Sequence, residues 1–457
     1  MHGGREAIAT GRTVTSWEHK GEWWLPGREN EKVPGTLRHD ADEGTSLDLL
    51  GALSPSQSGG HRLASVTGAD VPRRSGTYPR IHGQVGGSAY TLDDCFRSQL
   101  RRSWPGEFMN EKIVVNKIYK GPWFDVDEPV QATRILVAMR HLAYWLGKTG
   151  LEQVDGSMIA GQDLDAPRRP WSTQVACELD AETVALARGT TVSFSQTLRS
   201  AGDGVRELHL EQDFVLGIEV LSPTSIEDLL EQVSDIRDLV SIGTQRTACY
   251  ERITLQSPDL VRSIGDREVP EPVEFFANWL DRGTRSDKAN VHLHEMLFTF
   301  EGLGGMDGVR RWAQVAAVHR TALVRVMATK YVGQMYVSDT LLNRVAALEA
   351  VDRTRYKDRL SLRKRLERCA DLAGRPFELL VGDPDSWTKK IVRQRDIVAH
   401  HLGRLPDGSE HLFLADSAYW LFVMCMLRLA DVPSAVFARI EKDRHIEWLA
   451  PRIQAVL

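Results

Sequence analysis

The chain has 457 residues, of which 42% are apolar and 26% charged, and a net charge of −5. The length is too great for one ordinary domain and suggests two to four, while the composition is globular and the net charge argues against a generic nucleic-acid coat. The longest uncharged apolar run near the C-terminus, Ala418 to Leu427, is about half of the ~20 residues a membrane span needs, so no transmembrane segment is expected. The first residues lack the apolar stretch of a secretory signal. Cys95, Cys177, Cys249, Cys369 and Cys425 lie far apart without a C-x-x-C pair. That spacing argues against a disulfide framework or a cysteine zinc site and favours a reducing, cytoplasmic setting.

Charge is unevenly spread. Residues 1–304 carry −12 and residues 305–457 carry +7, which points to two kinds of domain, with polyanions drawn to the second. The expected organisation is a loose tail over 1–16, a β-rich domain with some helices over 17–304, and an all-α bundle over 305–457, an α+β chain overall.

In chain order, Thr36–His39 and Ser46–Leu50 flank a turn-rich stretch and predict a hairpin. Residues 54–60 read as a loop, and 112–119 (KIVVNKIY) as one strand rich in β-branched residues. Ile135, Leu136, Met139, Leu142, Ala143 and Leu146 recur at helical spacing and end at Gly147, predicting a helix. Val192 and Phe194 alternate with polar residues as in a strand, and 214–221 is an apolar run suited to a buried one. Thr224-x-x-Glu227 has the form of a capping box and opens a helix toward Gly243. Beyond Gly302 the apolar stripes are helical. Trp312, Val315, Ala316, Leu323, Val326 and Met327 form the first, Leu341, Val345 and Leu348 the second, and Leu362, Leu366, Cys369 and Ala373 the third. Asp385–His401 and Asp416–Leu429 are two further predicted helices.

The fourth helix holds the best candidates for chemistry. Projected at ~100° per residue, Ile391, Val398 and Leu402 share one face, and Arg395 falls in its middle. A guanidinium there is snorkelling, paired in a cavity, or placed for an anion. Asp396 lies one turn before His400, close enough for a carboxylate–imidazole contact. Arginine, a polar residue and histidine can cleave RNA without metal, the imidazole moving a proton and the guanidinium stabilising phosphoryl charge. On one helix Arg395 and His400 point about 140° apart, a divergence that two copies facing each other across a two-fold axis would relieve. A structural Asp–His contact at a helix end is the bland alternative.

Other candidates carry less. Arg353, Arg355, Lys357, Arg359, Arg363, Lys364, Arg365 and Arg368 give residues 351–370 a charge of +5, read either as a solvated helix face or as an RNA-backbone track near the mouth of a cleft that the expected homodimer would form beside its two-fold axis. His292 and His294 alternate as paired metal ligands can, without a third ligand nearby, so neither metal nor cofactor is expected. Glu349 reads as a rim salt bridge, and Trp17, Trp23, Trp24, Trp123 and Trp145 as core.

Arg395-Asp396-Ile397-Val398-Ala399-His400 resembles the R-[N/D/H]-x-x-x-H motif of the HEPN superfamily. Its preceding helices are similar to that domain in ApeA-type anti-phage proteins. Gly21-Glu22-Trp23-Trp24-Leu25-Pro26, Pro34-Gly35-Thr36-Leu37 and Leu47-Asp48-Leu49-Leu50-Gly51 resemble the opening of the ApeA N-terminal domain, and Gly121–Phe124 and Leu142–Gly147 also look familial. The resemblance implies a metal-independent endoribonuclease that acts in abortive infection, as a homodimer or larger assembly, on RNA such as tRNA anticodon loops. It would be held in check until a phage-derived trigger or regulatory ligand arrives. Arg395 would then engage the phosphate, His400 would serve as acid and base, Asp396 would orient them, and His401 could assist. The competing readings are a non-catalytic HEPN module that binds RNA or nucleotide for a partner, and a ligand sensor whose back half only dimerises.

Overall fold

The computed structural model describes residues 16–40, 43–53, 76–103, 108–155, 173–177, 181–203, 206–265, 267–281, 291–400 and 408–457. They form two compact units, each built from discontinuous stretches of chain. The first comprises residues 1–135, 223–226 and 250–284, and the second 136–222, 227–249 and 285–457.

The first unit begins with seven strands: β1 (Ser16–Trp24), β2 (Val33–Asp40), β3 (Gly44–Leu49), β4 (Thr77–Val85), β5 (Ser88–Ser103), β6 (Phe108–Val114) and β7 (Lys117–Lys120). They pair antiparallel in the order β5-β4-β1-β2-β3-β6, and β6 returns to β5, closing a six-stranded barrel. Closure removes the unpaired edges that an open sheet of this kind would expose. On the edge opposite β4, the 16-residue β5 serves two neighbours in succession, β7 over Tyr90–Asp93 and β6 from Phe96 onward, the latter with a register shift between Arg97 and Gln99. Trp23, Leu37, Leu47, Ile81, Leu92 and Ile113 fill the interior. Gly83 is required there, since a Cβ would lie 2.2 Å from the Trp23 ring.

The predicted hairpin is present, with Thr36 opposite Asp48 and Asp40 opposite Gly44. The segment 112–119 is two strands rather than one. Asn116 leaves the ladder between them and donates from Nδ2 to the Asp94 carbonyl at 2.8 Å. The loop expected over 54–60 lies outside the described residues.

The helix expected from Ile135 to Leu146 is mostly a strand, β8 (Gln131–Met139), followed by the short α1 (Leu142–Leu146). Val137, Ala138 and Met139 are all buried, so the run loses its two-residue alternation and imitates a helical period. His141, at φ 69°, makes the turn between the two elements. Two further strands, β9 (Leu151–Asp155) and β10 (Thr173–Cys177), pair with each other. The two expected strands follow as β12 (Thr191–Ala201) and β13 (His209–Ser225), preceded by β11 (Ala181–Ala185), which the sequence reading did not pick out; the three are antiparallel in chain order. The helix α2 (Ile226–Thr244) starts where the capping-box motif stands.

The chain then rejoins the first unit as β14 (Tyr250–Gln256), the hairpin β15 (Val261–Ile264) and β16 (Arg267–Pro270), β17 (Val273–Ala277), and α3 (Asn278–Asp281). The strand β17 pairs with β14 and β7 and so extends the barrel sheet.

The remainder is helical: α4 (Phe300–Leu303), α5 (Gly305–Tyr331), α6 (Val337–Arg355), α7 (Leu362–Ala373), α8 (Arg375–Val381), α9 (Pro384–His400), α10 (Gly408–Leu429), α11 (Ser434–Ile440) and α12 (Arg444–Val456). The expected stripes face inward, with Trp312, Leu323, Leu341, Val345, Leu348, Leu366 and Cys369 all buried. The helix α10 is long and apolar enough to cross a membrane, but most of it is buried within this unit. Its shell includes polar anchors. Arg344 on α6 donates to Thr329 Oγ1 on α5 and to both the Ala415 carbonyl and Asp416 on α10. The Trp387 indole on α9 donates to Ser417 Oγ at 2.8 Å.

Compactness partitions the chain differently from the boundary expected at residue 304. The helix α2 belongs with the bundle: Trp312 Nε1 donates to the Asp235 carbonyl, Arg320 grips the Asp235 carboxylate at 2.6 and 3.2 Å, and the Tyr331 hydroxyl donates to Asp238 at 2.5 Å. These two buried acids lie three residues apart on one face of α2 and require cationic or hydroxyl donors, which α5 provides.

Candidate functional site

The helix α9 starts by local rules. Asp383 accepts hydrogen bonds from the Asp385 N–H at 3.0 Å and the Ser386 hydroxyl at 2.6 Å. Pro384 follows as the first helical residue, where a missing N–H costs nothing. Trp387, Thr388, Ile391, Gln394 and Val398 form the buried face. Arg395 sits at its border with about a third of its side chain exposed, Asp396 is half-buried, and His400 is exposed on the last residue of the helix. Arg395 Nη1 donates to Asp396 Oδ1 at 2.9 Å. The carboxylate therefore holds the neighbouring guanidinium, and among the described residues no hydrogen bond or ion pair joins it to His400. His401 and Leu402 lie outside the described residues.

Sequence reading missed a polar cluster one residue before Arg395. Gln394 is 5% exposed. Its Nε2 donates to Glu410 Oε1 at 2.9 Å, and its Oε1 lies 3.3 Å from His411 Nε2. Because the amide nitrogen serves Glu410, the amide oxygen is the acceptor and His411 Nε2 carries the hydrogen. Lys390, one turn earlier on α9, reaches the same Glu410 oxygen at 2.8 Å. Burial holds the His411 pKa below its ordinary value, opposed by the Glu410 charge. The signal for this cluster was available: Gln394 projects onto the apolar face of α9, and a buried amide demands partners for both its ends.

The basic segment is less uniform than its composition suggests. Arg365 is a correction: it is buried against Asp352 at 2.8 Å and also donates to the Asp358 carbonyl, so it offers nothing to a ligand. Two helix stripes meet there, and a buried guanidinium must be paired. Arg353 pairs with Glu349 at 2.7 Å, which makes Glu349 a salt-bridge residue as expected, and Arg368 pairs with Asp358. Arg363 binds Glu367 and Asp385. Arg355, Lys357, Arg359 and Lys364 are exposed. The Arg363–Asp385 bond at 2.6 Å places this segment at the first turn of α9, on the order of 15 Å along the axis from Arg395, rather than beside His400.

His292 and His294 stack with ring centroids 5.6 Å apart, and among the described residues no group of three or more His, Cys, Asp or Glu could hold a metal ion. Trp23, Trp24 and Trp145 are core residues, as read from the sequence, whereas Trp123 is half-exposed and packs edge-on to Trp24 at 5.4 Å.

The motif on α9 thus carries a guanidinium at the border of the buried face and, on the same helix, a half-buried carboxylate and an exposed imidazole. Residues 338–435, which include Arg395, Asp396 and His400, match the family described as Apea-like HEPN. Residues 18–309 match the family described as ApeA N-terminal domain 1. No curated protein and no solved structure matches the chain significantly. The N-terminal match alone covers more than half of the chain, so the chain belongs to the ApeA family, an ApeA N-terminal domain followed by an ApeA-like HEPN domain.

Proposed function

We propose that this protein is an anti-phage endoribonuclease of the bacterial cytoplasm that cuts RNA, tRNA anticodon loops among its candidate substrates, without a metal ion. The observation that carries the reading is the placement of Arg395 at the border of the buried face of α9, its charge steadied by Asp396, with His400 exposed on the same helix inside the HEPN match. In the proposed reaction the RNA 2′-oxygen attacks the adjacent phosphorus and the bond to the 5′-oxygen breaks. The 2′ proton passes to an imidazole, and an imidazolium protonates the leaving oxygen. The products are a 2′,3′-cyclic phosphate and a 5′-hydroxyl, and Arg395 stabilises the charge that builds on the phosphoryl oxygens. Two copies on a two-fold axis supply two His400 rings, one to accept and one to donate, which answers the divergence of Arg395 and His400 on a single helix. Arg355, Lys357, Arg359 and Lys364 would follow the RNA backbone farther along α9.

Incubating the full chain with total RNA in EDTA and mapping the ends tests this. Cleavage with 5′-hydroxyl ends is expected, and His400→Ala and Arg395→Ala should each lower it by about 10²–10⁴-fold. Wild-type cleavage by both variants would overturn the site, and strict Mg²⁺ dependence with 5′-phosphate ends would overturn the metal-independent chemistry.

A further inference from the structure

We propose that Gln394 is a positioning residue for the Arg395/His400 site, acting through a clasp with Glu410 and His411. The proposal rests on the ribonuclease reading above and deepens it. Gln394 immediately precedes Arg395 and lies on the buried face of α9, where Ile391 and Val398 flank it. A leucine would fill that place without the cost of burying an amide. The amide instead meets a specific pair of partners, Glu410 Oε1 and His411 Nε2, on consecutive residues of the first turn of α10. Lys390 grips the same carboxylate from one turn below, so two residues of one α9 stripe share one anchor.

The anchor is rigid because the rest of α10, from Leu414 to Leu427, is almost wholly buried. Apolar side chains allow two helices to slide or roll; a satisfied amide between them permits one register. Arg395 and His400 both lie within two turns beyond Gln394, on the end of α9 that the clasp fixes. Sites of this kind need their groups held to within about 0.5 Å and 10–20°. The clasp supplies that restraint to the guanidinium at the border of the face and to the imidazole at the helix end. Burial lowers the His411 pKa from its ordinary value, whereas His400 is exposed at the end of α9.

The test uses the full chain. Gln394→Ala and Glu410→Ala should each lower kcat on RNA by roughly 10–100-fold with KM nearly unchanged, at temperatures well below the melting transition of each variant. Glu410→Gln, which keeps an acceptor oxygen for the amide, should recover most of the rate. A general loss of folding would not produce that split or that rescue. Hydrogen exchange adds a readout that needs no activity: in Gln394→Ala the amides of residues 395–400 should exchange faster while those of α5 and α6 do not change. Unchanged exchange at 395–400 overturns the clasp under any cleavage condition. If His400→Ala abolishes cleavage and Gln394→Ala cuts at the wild-type rate, the positioning role fails and the site stands. Wild-type cleavage by His400→Ala and Arg395→Ala removes the site itself.

Discussion

Single charged residues on helix faces meet two different fates in this protein. Arg365 and Arg395 both project into apolar stripes, yet Arg365 is sealed against Asp352 while Arg395 stays at a border with its neighbour Asp396. Only the second arrangement leaves a cation that an incoming phosphate can reach. A buried acid, Asp238 on α2, shows what happens without full compensation. Burial pushes its carboxyl up to about 7 from 3.8, against the opposing Tyr331 hydroxyl and Arg237, with Asp235 adding to the rise. A proton is therefore held more tightly in the folded chain than in the unfolded one. The resulting stability is complete below the unfolded pKa and is lost as pH rises through about 7. Asp238→Asn keeps the acceptor for Tyr331 and removes the titration, so its stability relative to wild type should improve from about pH 5 to about pH 8. Denaturant melts of both proteins at the two pH values check this, and an equal difference at both would contradict it.

Helix ends tie the elements together. Asp443 caps α12 by accepting from the N–H groups of His445 and Ile446, and its other carboxylate oxygen accepts from Gln245 at 2.8 Å, just past the end of α2. One residue thus closes a helix and fastens a second to it. Asp443→Ala should cost about 1–2 kcal/mol, measurable in a denaturant melt. Replacement by Asn, which retains a capping oxygen, should recover most of the loss. The strand β8 teaches the complementary lesson. Its last three residues, Val137, Ala138 and Met139, are buried in succession, so the alternation is lost there, and the spacing of Ile135, Leu136, Met139 and Leu142 is that of a helix by coincidence of composition.

For the molecule as a whole, chain order and compactness disagree in a way that affects experiments. The family match for the N-terminal domain ends at residue 309, but α2 lies in the same compact unit as the helical bundle. A fragment of residues 305–457 lacks the carbonyl that accepts from Trp312, the carboxylates that hold Arg320 and Tyr331, and the Gln245 partner of Asp443. It should melt broadly and at lower temperature than the full chain. The proposed dimer is therefore best sought by light scattering on the intact protein, where a mass of at least two chains is expected. A sharp, full-stability melt of the fragment would show that α2 is dispensable.

The sequence alone determined much of this architecture, because hairpins, caps and amphipathic stripes are local codes. The hairpin of residues 36–49, the start of α2 and the inward stripes of α5, α6 and α7 follow from turn residues and from the 3.6-residue period, which act within a few positions. The helix α9 that carries Arg395, Asp396 and His400 was legible in the same way, whereas the proposed motif drew its weight from the residues around it, since Arg-x4-His spacing alone arises by chance. Tertiary structure decided what no window of sequence contains. It sealed Arg365 away while leaving Arg395 at a border, closed six strands into a barrel through β5 and β6, and brought Gln394 against Glu410 and His411. Each of these depends on what the far partner supplies, whether a carboxylate, a strand edge or a hydrogen-bond donor. A buried polar group announces that it needs such a partner, and only the folded chain shows which one it has.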